Sequence, residues 1–218
     1  MNLKYTHLYI LCIWTLTNVG CHAKKNDNLV KRNETKKEKD VKMLLLNPQH
    51  LIISRAIYTN HDYPLCVRSR LKKFVEVGYN HNVSYFERGY QNETHGRRYY
   101  RNAFYYVQHV GQVLLFVASA FTERHHVDPL VSGSYKVLYA NPICFVAATN
   151  PRSGKEACLL WRLARPRQHE RYSCRAAFNI YCSSYTGHRV FYTRELCATR
   201  NAIRRPNGVL QSLGKGPE

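Results

Sequence analysis

The segment 135–182 constrains what this chain can fold into more than any other. It contains three apolar runs separated by turn residues, a pattern typical of consecutive β-strands. Apolar residues then recur at helical spacing over 168–181. Cys174 and Cys182 are eight residues apart, so both lie toward one side of the predicted helix. The three predicted strands cover 134–139, 143–149 and 156–163.

Five more strands are predicted before this segment, because alternating apolar residues are again bounded by turn residues. They cover 50–58, 66–79, 83–90, 97–109 and 113–121, and a short final strand is expected at 190–192. Eight strands with short connections predict an all-β fold, either an up-and-down barrel or a sandwich. With a helix after the eighth strand, the pattern favours an eight-stranded antiparallel lipocalin barrel with a C-terminal α-helix packed on its outside.

The N-terminus predicts export from the cell. Residues 1–23 combine a basic start, a short apolar run and a small-x-small cleavage site, which is typical of a secretory signal peptide. Residues 24–42 are charged and predict a basic arm that is disordered or weakly helical. We expect the folded lipocalin domain at 43–197, with 43–46 as one plugging helical turn, and a basic, flexible tail at 198–218. Beyond the signal no apolar run is long enough to span a membrane, so the protein is expected to be secreted.

Six cysteines remain once the signal peptide is removed, and an even number in a secreted chain predicts three disulfides. They are Cys66, Cys144, Cys158, Cys174, Cys182 and Cys197. Their spacing alone leaves the pairing open. Sequons at Asn33, Asn82 and Asn92 predict N-glycosylation, which fits the same compartment.

The net charge and the absence of catalytic and nucleic-acid recognition motifs narrow the possible classes of function. A net charge of +19 produces a field that attracts polyanions, although a merely solvated basic surface is the alternative interpretation. Nucleic acid is a poor candidate, because the chain has an export signal and no recognition motif. Adjacent His125 and His126 would point to opposite sides of a strand and make a poor metal pair. No catalytic motif occurs, so we expect neither an enzyme, nor a metal site, nor a cofactor.

Four features together resemble the tick salivary lipocalins, the histamine-binding group. They are Tyr135-Lys-Val-Leu-Tyr139 followed by Cys144, then Cys158-Leu-Leu-Trp161, the helix with Cys174 and Cys182, and the terminus from Tyr192 to Cys197. The resemblance covers 43–197 and is strongest over 135–197. It implies a secreted, monomeric barrel that sequesters small host mediators such as histamine, serotonin or leukotrienes. It also implies the disulfides Cys66–Cys197, Cys144–Cys174 and Cys158–Cys182.

The chain departs from the family's amine-binding signature at both acidic positions. The signature reads Cys-Asp-aliphatic and then Glu-Leu-Trp, whereas Phe145 stands at the Asp position and Leu159 at the Glu position. A buried ammonium group needs a carboxylate to offset its desolvation. The expected ligand-binding residues are therefore Phe145, Leu159 and Trp161, and an acidic lipid such as a leukotriene is as good a candidate as a biogenic amine.

Two functional hypotheses remain open. In the first, the barrel binds a small host mediator and so suppresses inflammatory or haemostatic defence. Arginines on the strands could then meet an acidic ligand, or glutamates could replace the missing acids. In the second, the basic surface binds a host protein or a glycosaminoglycan, and the barrel is a scaffold. The arginines are Arg68, Arg70, Arg98 and Arg101, and the glutamates are Glu76, Glu87, Glu93 and Glu123.

Overall fold

The computed structural model describes residues 36–87, 97–149, 156–193 and 197. The expected signal peptide, the C-terminal tail and the sequons at Asn33 and Asn92 lie outside the described residues. Within them, no helix is long and apolar enough to cross a membrane.

The described residues form a strand-rich chain with one helix before the first strand and another between the eighth and ninth strands. The first helix, α1, covers 36–46. The later elements are β1 (Leu51–Tyr58), β2 (Leu65–Val75), β3 (Gly78–Phe86), β4 (Arg98–Val110), β5 (Val113–Phe121), β6 (Gly133–Asn141), β7 (Cys144–Ala148), β8 (Ala157–Leu163), α2 (Gln168–Tyr181) and β9 (His188–Phe191).

Strands β1 to β8 form a closed antiparallel barrel, which confirms the predicted fold. Strands β2 to β8 pair in sequence order, from β2 with β3 to β7 with β8. Strand β1 pairs with both β8 and β2. The β1–β2 contact is short, joining Leu51 to Ser69 and Ile52 to Arg68. The second half of β1 instead pairs with β9, from Arg55 opposite Phe191 to Tyr58 opposite His188. Strand β1 therefore closes the ring with its first half and holds the chain's last strand with its second half.

Side-chain alternation divides the strands into two faces with different partners. On β8, Leu159 and Trp161 belong to the barrel core, whereas Cys158 and Leu160 belong to a second apolar cluster. On β7, Phe145 points into the barrel core in the same way. The second cluster lies under α2, whose buried residues are Cys174, Ala177 and Phe178. Helix α2 thus packs on the outside of the barrel, as predicted.

The three disulfides connect the later part of the chain to the strands of the barrel. Two of them join strands β7 and β8 to α2, and the third joins the start of β2 to the end of the described chain. The pairs are Cys144–Cys174, Cys158–Cys182 and Cys66–Cys197. These are the pairs that the family resemblance implies.

Helix α1 packs over one end of the barrel. Its side chains Val41, Leu44 and Leu45 are fully buried in the core, so the predicted plug at 43–46 is present. Residues 36–42, which belong to the arm expected to be disordered or weakly helical, form most of this helix, and 24–35 lie outside the described residues. The imidazole Nε2 of His109, at the end of β4, lies 3.0 Å from Glu38 Oε2.

The β2–β3 hairpin turns earlier than the sequence indicated. We expected one strand over 66–79 and a turn at 80–82, but the chain turns between Val75 and Gly78. Residues 80–82 instead lie within β3 and pair with both neighbouring strands. The apolar side chains near this turn, Phe74 and Val77, are exposed, so their alternation did not mark a buried strand.

Candidate functional site

The interior of the barrel is the candidate site, and aromatic rings fill much of it. Phe116 lies at the centre of the cluster, with the rings of Tyr105, Phe145 and Trp161 around it at 5.2, 5.3 and 6.1 Å between centroids. All three contacts are edge-to-face, an arrangement that favours aromatic pairs beyond simple burial. The strands therefore supply a rigid, apolar centre.

All three predicted ligand-binding residues point into this interior. Phe145 lies opposite Trp161 in the β7–β8 pairing, and Ala147 lies opposite Leu159. The Phe145 and Trp161 rings stack with planes only 8° apart. Leu159 and Trp161 line a cavity, whereas Phe145 lies behind Trp161 and does not reach it. Both positions where the family carries acids are thus buried inside the barrel and apolar here.

The cavity beside Trp161 is small and has no carboxylate in its described lining. Its volume is about 20 Å³, enough for a single water molecule. The lining mixes aliphatic side chains with the phenol rings of three tyrosines. It consists of Ile53, Tyr58, Val67, Val83, Tyr105, Ala118, Leu130, Val131, Tyr135, Leu159 and Trp161.

Burial raises the pKa of the three tyrosine hydroxyls above its ordinary value. Desolvation raises the pKa of Tyr135 to about 12, and it raises the pKa of Tyr58 and of Tyr105 further. Because they are neutral at physiological pH, these hydroxyls can donate hydrogen bonds to a ligand without adding charge.

Trp161 contributes a further hydrogen-bond donor to the site, in addition to the three tyrosine hydroxyls. Its side chain is 5% exposed, and its indole Nε1 is buried without a hydrogen-bond acceptor among the described residues. A buried donor without an acceptor costs free energy, and most such groups in proteins are satisfied. A ligand that carries an acceptor would remove this cost.

A buried polar chain links the barrel wall to helix α1. His81 Nδ1 lies 2.9 Å from Ser69 Oγ, and His81 Nε2 lies 3.0 Å from the carbonyl oxygen of Leu45. Ser69 Oγ is also hydrogen-bonded to the Tyr105 hydroxyl at 3.1 Å. Burial lowers the pKa of His81 to about 4, so its ring is neutral near pH 7. This chain connects a cavity-lining tyrosine to the plugging helix.

Asp128 is a buried carboxylate of the barrel that no sequence pattern indicated. It is 3% exposed and lies in the loop between β5 and β6. Its Oδ2 accepts hydrogen bonds from Arg101 Nε at 2.5 Å and from the Tyr85 hydroxyl at 2.6 Å. No local pattern marks Asp128, because both partners are distant in the chain.

The Asp128 contacts hold the β5–β6 loop over the cavity. The backbone N–H of Leu130 donates to Asp128 Oδ1 at 3.1 Å, and Leu130 and Val131 line the cavity. Asp128 therefore fixes two apolar side chains that cover the space beside Trp161.

The other candidate charges do not line the cavity. Glu76, Glu87 and Glu123 are exposed, and Glu93 lies outside the described residues. Arg98 is buried, but its guanidinium lies over the Phe86 ring at 4.3 Å and donates to Ser84 Oγ at 2.7 Å.

The described residues contain no group of three or more side chains that could hold a metal ion. Asn82 of the remaining predicted glycosylation sequon is exposed on β3.

Comparison with known proteins gives a clear family match. A sequence profile of the family described as tick histamine binding protein matches residues 30–199. No curated protein matches the chain. Among solved structures, Japanin from Rhipicephalus appendiculatus bound to cholesterol is similar with a TM-score of 0.42 and 12% identity, over 68% of this chain and 94% of that chain.

Proposed function

The chain belongs to the tick histamine binding protein family, and on that premise we propose that it sequesters a mainly apolar, acidic mediator, such as a leukotriene, rather than a protonated amine. The ligand would occupy the cavity beside Trp161. The protein acts by binding, not by catalysis, and it works outside the cell that makes it, where it withholds a host mediator from inflammation or haemostasis.

The observation that carries this proposal is the carboxylate-free lining of the cavity. An ammonium group transferred from water into this space would lose its hydration without gaining a counter-charge, which is strongly unfavourable. The buried carboxylate of Asp128 is already engaged by Arg101 and Tyr85. An amine could use Asp128 only by displacing an arginine.

The groups that line the cavity suit an acidic lipid better than a protonated amine. The lipid's hydrocarbon body would contact Leu159 and the other aliphatic side chains that line the cavity. Its oxygen atoms would accept hydrogen bonds from the Trp161 indole N–H and from the neutral tyrosine hydroxyls. Hydrogen bonds to an ionised acceptor are stronger than neutral ones, so these donors can offset part of the carboxylate's desolvation.

Binding requires the cavity to expand, because its volume of about 20 Å³ is far below the several hundred Å³ of an ordinary ligand pocket. We expect Leu130 and Val131 to move outward with their loop, since they cover the cavity and the strands are fixed by the barrel. Loop opening would then limit the rate of association.

Isothermal titration calorimetry on the disulfide-bonded protein tests this proposal. We expect a leukotriene to bind with a dissociation constant in the micromolar range or tighter, and histamine and serotonin to bind much more weakly. The W161F variant keeps an aromatic ring but loses the N–H, so leukotriene affinity should fall about tenfold. Y172F, at an exposed position on α2, is the matched control. Tighter binding of histamine than of leukotriene, or no heat with any ligand, would contradict the proposal.

A further inference from the structure

A second concave surface lies outside the barrel, between α2, the β8–α2 connection and the strands β1 and β2. Its volume is about 1000 Å³, and it adjoins a smaller pocket of about 220 Å³ with which it shares Arg162, Arg171 and Arg175. Together the two pockets are lined by six arginines, and we call this surface the arginine groove. The six are Arg55, Arg68, Arg162, Arg165, Arg171 and Arg175.

The arginine groove has no counter-charge in the described part of the chain. None of its described lining residues is Asp or Glu. The ion pairs between described residues lie elsewhere, at Lys42–Glu38, Arg101–Asp128 and His109–Glu38. Like charges that lie close together repel one another, so clustering these arginines disfavours the fold unless a negative partner binds there.

Neutral partners hold several of these arginines in place. Arg162 Nη1 donates to the carbonyl oxygen of Leu163 at 2.7 Å, and Arg68 Nε donates to the Tyr192 hydroxyl at 2.7 Å. The Arg55 guanidinium lies 5.1 Å from the centre of the Phe191 ring. These contacts orient the guanidinium groups without supplying a negative charge.

The positive charges around the arginine groove lower the pKa of neighbouring basic groups. The pKa of Arg162 is lowered to about 10, first by burial and then by Arg171 and Arg175. The pKa of His50, which also lines the groove, is lowered by burial and then by Arg68, Arg70 and Arg165. The fold thus maintains a concentrated positive field in a concave surface.

We propose that the arginine groove binds a sulfated polysaccharide chain of the glycosaminoglycan type. Guanidinium groups fit sulfate oxygens with paired, parallel hydrogen bonds. Six arginines distributed over two joined pockets match a polymer that carries repeated sulfates better than a single small anion. This site is separate from the barrel cavity and does not depend on the identity of the ligand there.

The alternative polyanion, a single-stranded nucleic acid, fits less well. Such ligands stack their bases on accessible aromatic faces. In the arginine groove the guanidinium of Arg68 already lies 5.7 Å from the centre of the Tyr192 ring, and that of Arg55 lies over Phe191. Three disulfides also favour an oxidising, extracellular setting, where sulfated polysaccharides are available partners.

The test measures the binding of heparin oligosaccharides to the full, disulfide-bonded protein as a function of salt. We compare R171A/R175A with K72A/K73A, which removes the same charge from exposed positions on β2. Both variants keep the basic tail, so its contribution cancels. We expect R171A/R175A to bind at least tenfold more weakly at physiological salt, with a salt dependence reduced by about one to two released counterions. K72A/K73A should change affinity less than twofold.

Three further measurements test which chemical groups the binding requires. R171K/R175K keeps the charge but not the paired hydrogen bonds, and it should bind with intermediate affinity. Heparin without its sulfates should not bind. Equal losses in R171A/R175A and K72A/K73A would overturn the proposal in favour of a diffuse basic surface. Equal affinity for a single-stranded RNA of the same charge, or no heparin binding at physiological salt, would also overturn it. Unchanged circular dichroism melting would show that each variant is folded.

Discussion

Phe145 and Trp161 face each other across strands β7 and β8, and their rings stack with centroids 6.1 Å apart. In the family signature the position of Phe145 carries an aspartate, so this stacking replaces an acid with a ring at the centre of the barrel. Leu159, opposite Ala147 in the same pairing, replaces the second acid with an aliphatic side chain. Two buried apolar side chains therefore stand where the family signature has acids.

Restoring both acids should reverse that preference. In the double variant F145D/L159E, two carboxyl groups would be buried without partners, so the melting temperature should fall by several degrees. Histamine should then raise the melting temperature, because its ammonium group would neutralise a buried charge. Differential scanning fluorimetry with and without histamine measures both effects. The isosteric variant F145N/L159Q is the control, and an equal histamine response in it would argue against a role for the charge.

Breaking the Asp128 contacts should loosen the loop that covers the cavity. In D128N the ion pair with Arg101 is lost, and the half-buried arginine remains without its counter-charge, at a cost of roughly 3 kcal/mol in the free energy of unfolding. Hydrogen exchange at the backbone N–H of Leu130 should accelerate, and ligand association should become faster. E123Q changes an exposed acid of the same loop and should leave both rates unchanged. Equal protection of Leu130 in D128N and the parent protein would disprove this role.

His81 should make the protein less stable in mild acid. Its folded pKa of about 4 lies below the ordinary value of 6.5, so the unfolded chain binds a proton in this range while the folded chain does not. The stability is therefore complete above about pH 6.5 and is lost as the pH falls toward 4, by up to roughly 3 kcal/mol. Urea unfolding at pH 7 and pH 4 measures the loss. An NMR titration that placed the pKa of His81 near 6.5 would contradict this prediction.

The three disulfides should differ in how much they stabilise the fold. Cys66–Cys197 closes a loop with a sequence separation of 131, whereas Cys158–Cys182 closes one of 24. In the chain-entropy account a longer loop restricts the unfolded state more, so removal should cost about 5 kcal/mol for the first and about 3 kcal/mol for the second. Paired Cys→Ala variants and urea unfolding measure the difference. A larger loss for C158A/C182A would show that loop entropy does not control these contributions.

The sequence predicts regular elements well where pattern and burial coincide. The β5 strand, Val113–Phe121, and the α2 helix, Gln168–Tyr181, have the predicted bounds, because their apolar periods match the faces that they bury. The β2–β3 turn was misplaced for the opposite reason. Exposed Val77 resembled a core residue, and buried His81 resembled a turn residue. Only the tertiary contacts of His81 with Ser69 and Leu45 decide its burial.

The candidate site was predicted in part. The resemblance to the tick salivary lipocalins pointed to Phe145, Leu159 and Trp161, and the structure places all three side chains in the barrel core. Their role in ligand binding stays a prediction. The role of Asp128 could not be predicted, because a loop has no period and its partners Tyr85 and Arg101 lie on other strands. The arginine groove was equally hidden, because its residues come from several elements that only the closed barrel brings together.

We propose that the cavity beside Trp161, which has no carboxylate among its described lining residues, holds an acidic lipid. Besides Trp161, the chain's only other tryptophan, Trp14, lies in the expected signal peptide, so in the mature protein tryptophan fluorescence reports on this site alone. We predict that titration with a leukotriene shifts and saturates the Trp161 emission at micromolar concentration or below, and that histamine neither changes the emission nor displaces the leukotriene. A saturable change with histamine, or displacement of the leukotriene by it, would contradict the account.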